Sequence, residues 1–321
     1  MRNYWRGLKY YLYVGKIMNL AVEAVLRHKY LSIPNACPFR GIVYMADGSM
    51  LHGGLSDRLR GCVSLYYIAK KLKIPFKIYF VSPFHLKEFL VPNKYNWTIE
   101  DENMDFSLDN TNVVYIYNRD LPLEHTFQER YLKERILPQK QNHIFTNIDL
   151  GDRNFSSLFH ELFRPTDELA LLLQSHRERI GTDYVSMVYR FQQLLGDFKE
   201  GNYPVLKLEE QRMLIQKCRN AISKIHEKHP NKKILVTSDS STFLESVKDV
   251  EYVYVIEGKV FHMDFNTIAS HLPYMKSFLD LFMLSDSKIV YLVRAGLMYN
   301  SGFAKRASLI NNIPYKILNI N

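Results

Sequence analysis

Short apolar runs recur along the chain, and most are separated by stretches whose apolar positions return every three or four residues. The first group is GIVYMA at 41 to 46, FKIYFV at 76 to 81, NVVYIYN at 112 to 118 and HIFTNI at 143 to 148. The second is YVSMVYRF at 184 to 191, KKILVTS at 232 to 238, EYVYVIE at 251 to 257, KIVYLV at 288 to 293 and YKILNI at 315 to 320. These runs are rich in β-branched and aromatic residues, and they predict strands buried on both faces. Strands alternating with helices predict an α/β fold with parallel sheets, and two such series predict two Rossmann-like domains. The expected division is 1 to 180 and 181 to 321, with the boundary near Gly181.

Between the two series, residues 154 to 180 read as helical, with Pro165 starting a new helix after Arg164. The stretch 207 to 229 reads as one long amphipathic helix whose polar face mixes both charges, a solvated side rather than a binding site. Residues 92 to 110, rich in Asn and Asp, read as a surface loop, and 119 to 142 as a loop without an interpretable motif.

A length of 321 residues exceeds one compact core and supports the two-domain expectation. The net charge of +9 suits a phosphorylated substrate, nucleic acid or an anionic membrane surface equally. No zinc-finger spacing, RNP-like motif or long basic block is present, so nucleic acid is not expected as a partner. Cys37, Cys62 and Cys218 lie far apart without a CxxC pair, which argues against a disulfide framework or structural zinc and for a reducing compartment. The N-terminal thirty residues are basic and aromatic, but Lys9, Lys16 and Glu23 interrupt them. No span of ~20 apolar residues exists, so neither a transmembrane anchor nor a signal peptide is expected. Trp5, Tyr10, Tyr11 and Tyr13 could rest on a membrane surface, against the plainer alternative of a packed helix.

In an open α/β sheet, ligands bind beyond the carboxyl ends of the strands, which draws attention to the polar residues that follow each run. The first such place is HGGLSDRLRG at 52 to 61. Glycines there let a ligand approach a helix N-terminus, and Arg58 and Arg60 are forked donors suited to phosphate. A tight turn with both arginines on a solvated face is the equal alternative. The second is Arg190, at the end of an apolar strand, followed by Asp197. A charge in that position needs an anion, either a ligand's or an internal carboxylate such as Asp197 or Asp239. The third is Thr237 to Ser241, where hydroxyls, Asp239 and a helix cap coincide. The fourth is MYNSGFAKRAS, where Ser301, Lys305 and Ser308 share one helical face. His262 and Asp264 are two metal-type ligands without a third, and read as a polar loop.

GGLSDRLRG, the Arg-terminated strand, the SDS turn and KSFLDLFMLSDSKIVYLVRAGLMYNSGFAKRAS, taken in order, resemble the GDP-fucose-dependent fucosyltransferase superfamily. Relatives in that superfamily include the nodulation fucosyltransferase, the core α-1,6-fucosyltransferase and the protein O-fucosyltransferases. The resemblance implies a GT-B architecture, two Rossmann-like domains facing across a cleft, with the nucleotide mainly on the C-terminal one and the N-terminal one on the acceptor side. It implies that Arg190 binds the nucleotide diphosphate and stabilises charge on the leaving oxygen. Asp239 and Ser240 would meet the guanosine or ribose, Ser301, Gly302 and Phe303 the phosphate and base-side atoms, and Gly53, Gly54 and Arg58 would close on the donor. The sequence departs from the family pattern at Val188, where the family has His, and at Phe191, where it has a second Arg.

The implied chemistry is inverting transfer of L-fucose from GDP-fucose to a glycan or lipid-linked glycan acceptor, in the synthesis of a bacterial surface polysaccharide. Asp197 is the first choice of base, with Asp57 behind it. No cofactor and no essential metal are implied, since a basic pocket replaces the metal. The implied location is cytoplasmic, with possible peripheral membrane contact through the N-terminus. Two alternatives remain: a transferase using another nucleotide sugar, and a non-catalytic nucleotide- or glycan-binding protein on the same fold.

Overall fold

A computed structural model describes residues 16–34, 39–117, 125–150, 154–197, 203–258, 263 and 272–320. The chain divides into two compact units, one of residues 1–86 and 92–163, the other of 87–91 and 164–321.

In unit 1, α1 (Lys16–Arg27) is followed by β1 (Gly41–Ala46), α2 (Leu55–Leu72), β2 (Phe76–Phe80), then, after β3 (Leu90–Pro92), whose Leu90 and Val91 belong to unit 2, by β4 (Thr111–Ile116), α3 (His125–Arg135), β5 (Gln141–Thr146) and α4 (Phe155–Leu162). Its main sheet is parallel, in the order β2-β1-β5-β4. Every residue of β1 and β5 is buried, the pattern that a strand covered on both faces requires. Ile42 pairs with Phe76, and Gly41 and Thr111 both with Gln141. Helix α2 lies close against the sheet because Gly61 has no Cβ; one built there would stand 2.3 Å from the Thr146 carbonyl oxygen. At the open edge, the buried Glu23 of α1 accepts the Tyr115 N–H of β4 at 2.9 Å and pairs with Arg135. Edge amides are thereby covered instead of offered to another chain.

Inside the sheet, Tyr30 Oη donates to His143 Nδ1 at 2.7 Å, and His143 Nε2 stands 2.6 Å from Gln141 Oε1. Since an amide oxygen only accepts, Nε2 carries the ring proton. Burial pushes the His143 pKa down to about 3, so the ring is neutral.

Unit 2 contains β6 (Phe163–Pro165, from Arg164 onward), α5 (Asp167–Ile180), β7 (Tyr184–Tyr189), α6 (Leu208–Lys228), β8 (Lys233–Ser238), α7 (Ser241–Val247), β9 (Val253–Tyr254), α8 (Leu272–Ser285), β10 (Val290–Arg294), α9 (Gly302–Ile310) and β11 (Tyr315–Asn319). The five strands of its main sheet are all parallel, in the order β11-β10-β7-β8-β9. The chain starts at the centre with β7, runs outward through β8 and β9, then returns to lay β10 and β11 on the other side. That reversal puts a topological switch point between β7 and β10. Val185, Met187, Ile234, Val236, Val293 and the α6 residues Cys218 and Ile222 form the core on one face. At about 1.5–3 kcal/mol for each large side chain buried, such a core fixes the position of the sheet edge.

All nine expected strands are present, although the 251 to 257 run yields only Val253–Tyr254. Other expectations need correction. The stretch 92 to 110 is not a bare surface loop, for Trp97, Met104, Asp105 and Ser107 are buried and Trp97 Nε1 donates to the Leu162 carbonyl at 2.8 Å. Residues 125–135, expected in a loop, form α3. The 154 to 180 helix is interrupted by β6, which pairs with β3 in a separate two-stranded sheet. Pro165 ends β6, and Thr166 is the cap of α5, accepting from Leu169 N–H. Residues 1–15, Cys37, His262 and Asp264 lie outside the described residues.

Candidate functional site

At the carboxyl edge of the unit 2 sheet, β7 ends in Tyr189 and hands over to Arg190, Phe191 and Gln192, while β8 ends in Ser238 and hands over to Asp239. Asp239 organises this junction. Its Oδ1 accepts the Phe191 N–H at 2.8 Å, its Oδ2 accepts the Gln192 N–H at 2.7 Å, and Arg190 Nη1 stands 2.9 Å from Oδ2. Burial pushes the Asp239 carboxyl above its ordinary value, against the lowering pull of Arg190 and the two amides. The internal ion pair weighed for Arg190 is therefore real, and Asp239 is its carboxylate. Arg190 keeps 18% of its side chain exposed, so a buried anion holds a cation at the surface of the edge.

The loop after β10 crosses the same place. Tyr299 N–H donates to the Arg190 carbonyl at 3.0 Å, which ties the 295–301 loop to the end of β7. Ser301 then caps α9, accepting from Phe303 N–H at 3.2 Å, and Gly302 opens the helix with an exposed position. The switch point between β7 and β10 thus carries a helix N-terminus, with its positive dipole end, close to the Arg190 backbone.

Asp197 and Ser240 meet at the next strand. Ser240 caps α7, accepting from Phe243 N–H at 3.0 Å and donating to Asp197 Oδ2 at 3.0 Å. Asp197 Oδ2 also accepts the Thr242 N–H at 2.5 Å, whereas Oδ1 is buried without a hydrogen-bond partner among the described residues. One oxygen of this carboxylate holds a helix in place and the other is unspent.

The unit 1 edge is built differently. Gly53 has φ +78, and a Cβ there would stand 2.7 Å from Asp57 Oδ2 and 2.8 Å from Tyr117 Oη. Only glycine meets both demands. Gly54 is the cap of α2 and has nothing within 4 Å of a built Cβ. Arg58, expected to reach phosphate, is 1% exposed; its Nε donates to the Gly53 carbonyl at 2.9 Å and its Nη1 to the Ser82 carbonyl at 2.7 Å, with the guanidinium over Phe80. Arg60 pairs with Asp57 at 2.7 Å and donates to the Asn147 carbonyl at 2.6 Å. Arg58 therefore fixes the glycine turn, and Arg60 ties α2 to the chain just beyond β5.

The expected residues fall into two sets. Arg190, Asp197, Asp239, Ser240, Ser301, Gly302 and Phe303 lie in unit 2, and Gly53, Gly54 and Arg58 in unit 1. Sequence reasoning missed Gln192 and the His52–Asp47 pair, 3.6 Å apart at the end of β1. The signal for Gln192 was present: two glutamines in the otherwise apolar FQQLLG that follows Arg190. Among the described residues, no helix is long and apolar enough to cross a membrane, and no group of three or more His, Cys, Asp or Glu is placed to hold a metal.

No protein-family model matches the chain, and comparison with curated proteins finds no match. Comparison with solved structures does. Fucosyltransferase NodZ from Bradyrhizobium aligns with a TM-score of 0.55 at 15% identity, over 84% of this chain and 92% of that one. This chain has the fold of a fucosyltransferase. Arabidopsis thaliana FUT1, solved as a mutant in complex with GDP, aligns at TM-score 0.51 and 13% identity, over 92% of this chain and 74% of that one. POFUT1 in complex with GDP aligns at TM-score 0.51 and 11% identity, over 89% and 100%. Two units with parallel α/β sheets, expected from the strand pattern, are thus present, and the chain has the Rossmann-like fold that the resemblance implied.

Proposed function

We propose that this protein is an inverting, metal-independent glycosyltransferase that moves L-fucose from GDP-fucose to a hydroxyl of a glycan acceptor. The observation that carries the proposal is the convergence of Arg190, its buried partner Asp239 and the α9 N-terminus at the unit 2 switch point. As the glycosyl bond breaks, negative charge collects on the leaving diphosphate, and a fixed cation beside a helix N-terminus stabilises it more in the transition state than in the ground state. Ser301, Gly302 and Phe303 bind the phosphates at α9, and Asp239 and Ser240 shape the nucleoside side. Gly53, Gly54 and α2 supply the acceptor-side turn, with Arg58 positioning it. Asp197 is the base of this reading: the bonds on Oδ2 orient the carboxylate, and Oδ1, buried in this state, takes the acceptor proton once substrate binding uncovers it. The NodZ structure soaked with GDP-fucose and the GDP complexes of FUT1 and POFUT1 support the choice of donor. The acceptor is a lipid-linked or surface glycan assembled on the cytoplasmic side.

A second reading, a binding protein without catalysis, is favoured by the Ser240 and Thr242 bonds to Asp197, which suffice to give that residue a helix-capping role. Thermal stabilisation by GDP, UDP, ADP and CMP separates the possibilities, because a ligand of the folded state raises the melting temperature with concentration. A GDP-selective shift, with fucose transfer abolished in Asp197→Asn and nucleotide binding kept, is the expected outcome. A UDP-selective shift sinks fucose as the sugar, and no shift with any nucleotide sinks the transferase.

A further inference from the structure

Gln192 occupies a conformation that a glutamine avoids. Its φ is +54, in the left-handed region where Gly, Asn and Asp are at ease and longer side chains are strained. The residue is only 3% exposed. Its backbone is clamped there by the bond from its N–H to Asp239 Oδ2. A buried glutamine amide carries two donors and an acceptor, and the folded chain ordinarily satisfies them. Here no hydrogen bond from the Gln192 side chain to any described residue is present, and its amide atoms are not among the sealed orphans such as Tyr44 Oη and Ser186 Oγ. The side chain leaves the end of β7 two residues beyond Arg190, with 3% of the residue exposed.

We propose that Gln192 is a specificity-determining residue of the donor site, its amide reading a neutral donor–acceptor group of the nucleotide sugar. This rests on the donor site proposed above. A phosphate oxygen only accepts, and Arg190 and the α9 N-terminus already serve that need. An amide offers acceptance as well as donation, which suits a hexose hydroxyl or the edge of a nucleobase. The strained backbone has a purpose on this view. The Asp239 clamp holds φ positive and so fixes the direction in which the Gln192 side chain leaves the end of β7.

The test is calorimetric titration of GDP and of GDP-fucose into wild type, Gln192→Asn and Gln192→Met, with the ligand-free melting temperature of each. Asn tolerates the left-handed region and keeps an amide, but falls one methylene short; Met keeps the length and removes the hydrogen bonds. Both variants are expected to melt within about 3 °C of wild type and to bind about tenfold more weakly, as loss of a directed pair of hydrogen bonds implies. Weakening toward both ligands assigns the amide to the nucleotide; weakening toward GDP-fucose alone assigns it to the hexose. Unchanged affinity for both ligands in both variants overturns the proposal, leaving the amide with water only. Wild-type protein that binds neither ligand overturns the donor site itself and this inference with it.

Discussion

The two sheet edges use arginine in opposite ways. At the unit 1 edge, Arg58 is buried and gives donors to two backbone carbonyls, so its charge is spent on holding a turn. At the unit 2 edge, Arg190 is paired with a buried carboxylate and stays partly exposed. The same residue type after the same kind of strand is a strut in one half and a presented charge in the other. What separates them is the acceptor within reach. Arg58 is held by the Gly53 and Ser82 carbonyls and over Phe80, whereas Asp239 brings its own negative charge into the protein and needs the cation to remain.

The strongest challenge to this contrast is Asp239→Ala, which leaves Arg190 and two backbone amides without the carboxylate. A loss of about 3–5 kcal/mol in chemical denaturation is expected, together with loss of nucleotide binding; a loss under about 1 kcal/mol would show that the pair is not what holds the edge. Next is Arg58→Met, expected to cost about 2–4 kcal/mol by stranding the Gly53 and Ser82 carbonyls, with the affinity of any stable fraction for GDP unchanged. Selective loss of GDP affinity would make Arg58 a ligand contact after all.

Acid sharpens the comparison further. His143 is held neutral with a pKa of about 3, against about 6.5 in an unfolded chain. Between these values the unfolded state binds the extra proton, so stability falls as pH drops, by up to about 1.4 kcal/mol per pH unit. Asp239 acts with the opposite sign. Its pKa is raised by burial, the folded state binds the proton more readily, and its contribution falls as pH rises above the ordinary carboxylate value. Denaturant melts of wild type and His143→Gln across pH 4 to 7 should differ in slope, flatter in the variant; parallel curves would refute the assignment.

Two smaller effects probe the unit 2 edge alone. Gly302→Glu places a negative charge at a helix N-terminus, where it is tolerated or mildly stabilising, yet it should weaken GDP binding about tenfold through repulsion of the phosphates. Equal binding would remove α9 from the donor site. Ser240→Ala, which deletes the α7 cap and its bond to Asp197, should cost about 1 kcal/mol in the same denaturant assay.

The strands were legible because a fully buried strand leaves a continuous apolar run, and the runs around β1, β7 and β8 need no partner to be recognised. The cap of α7 at Ser240, inside the Thr237 to Ser241 stretch where a helix cap was expected, was legible for a similarly local reason. What was not legible is long range. Phe163–Pro165 becomes a strand only because Leu90–Pro92 lies beside it, and its own letters continue a helical pattern. Trp97 is buried by a carbonyl far along the chain, inside a stretch whose composition speaks for solvent. Arg58 looked like a phosphate ligand because its acceptors are backbone atoms, which every residue has and no sequence pattern marks. The Arg190–Asp239 pair could be foreseen only as one of two options, since Asp197 was equally available on paper. In the fold, Asp197 bonds instead to Ser240 and Thr242.

The absent side chain at Gly61 gives unit 1 a fulcrum. Helix α2 touches the end of β5 backbone to backbone at that point, with its N-terminal turn and the Gly53–Gly54 bend on the short arm and the remaining helix on the long one. Any side chain there would wedge the helix off the sheet and swing both arms. The placement of the glycine turn is thus set by a residue that never approaches a ligand, and the tolerance of that edge is the tolerance of a single bare Cα.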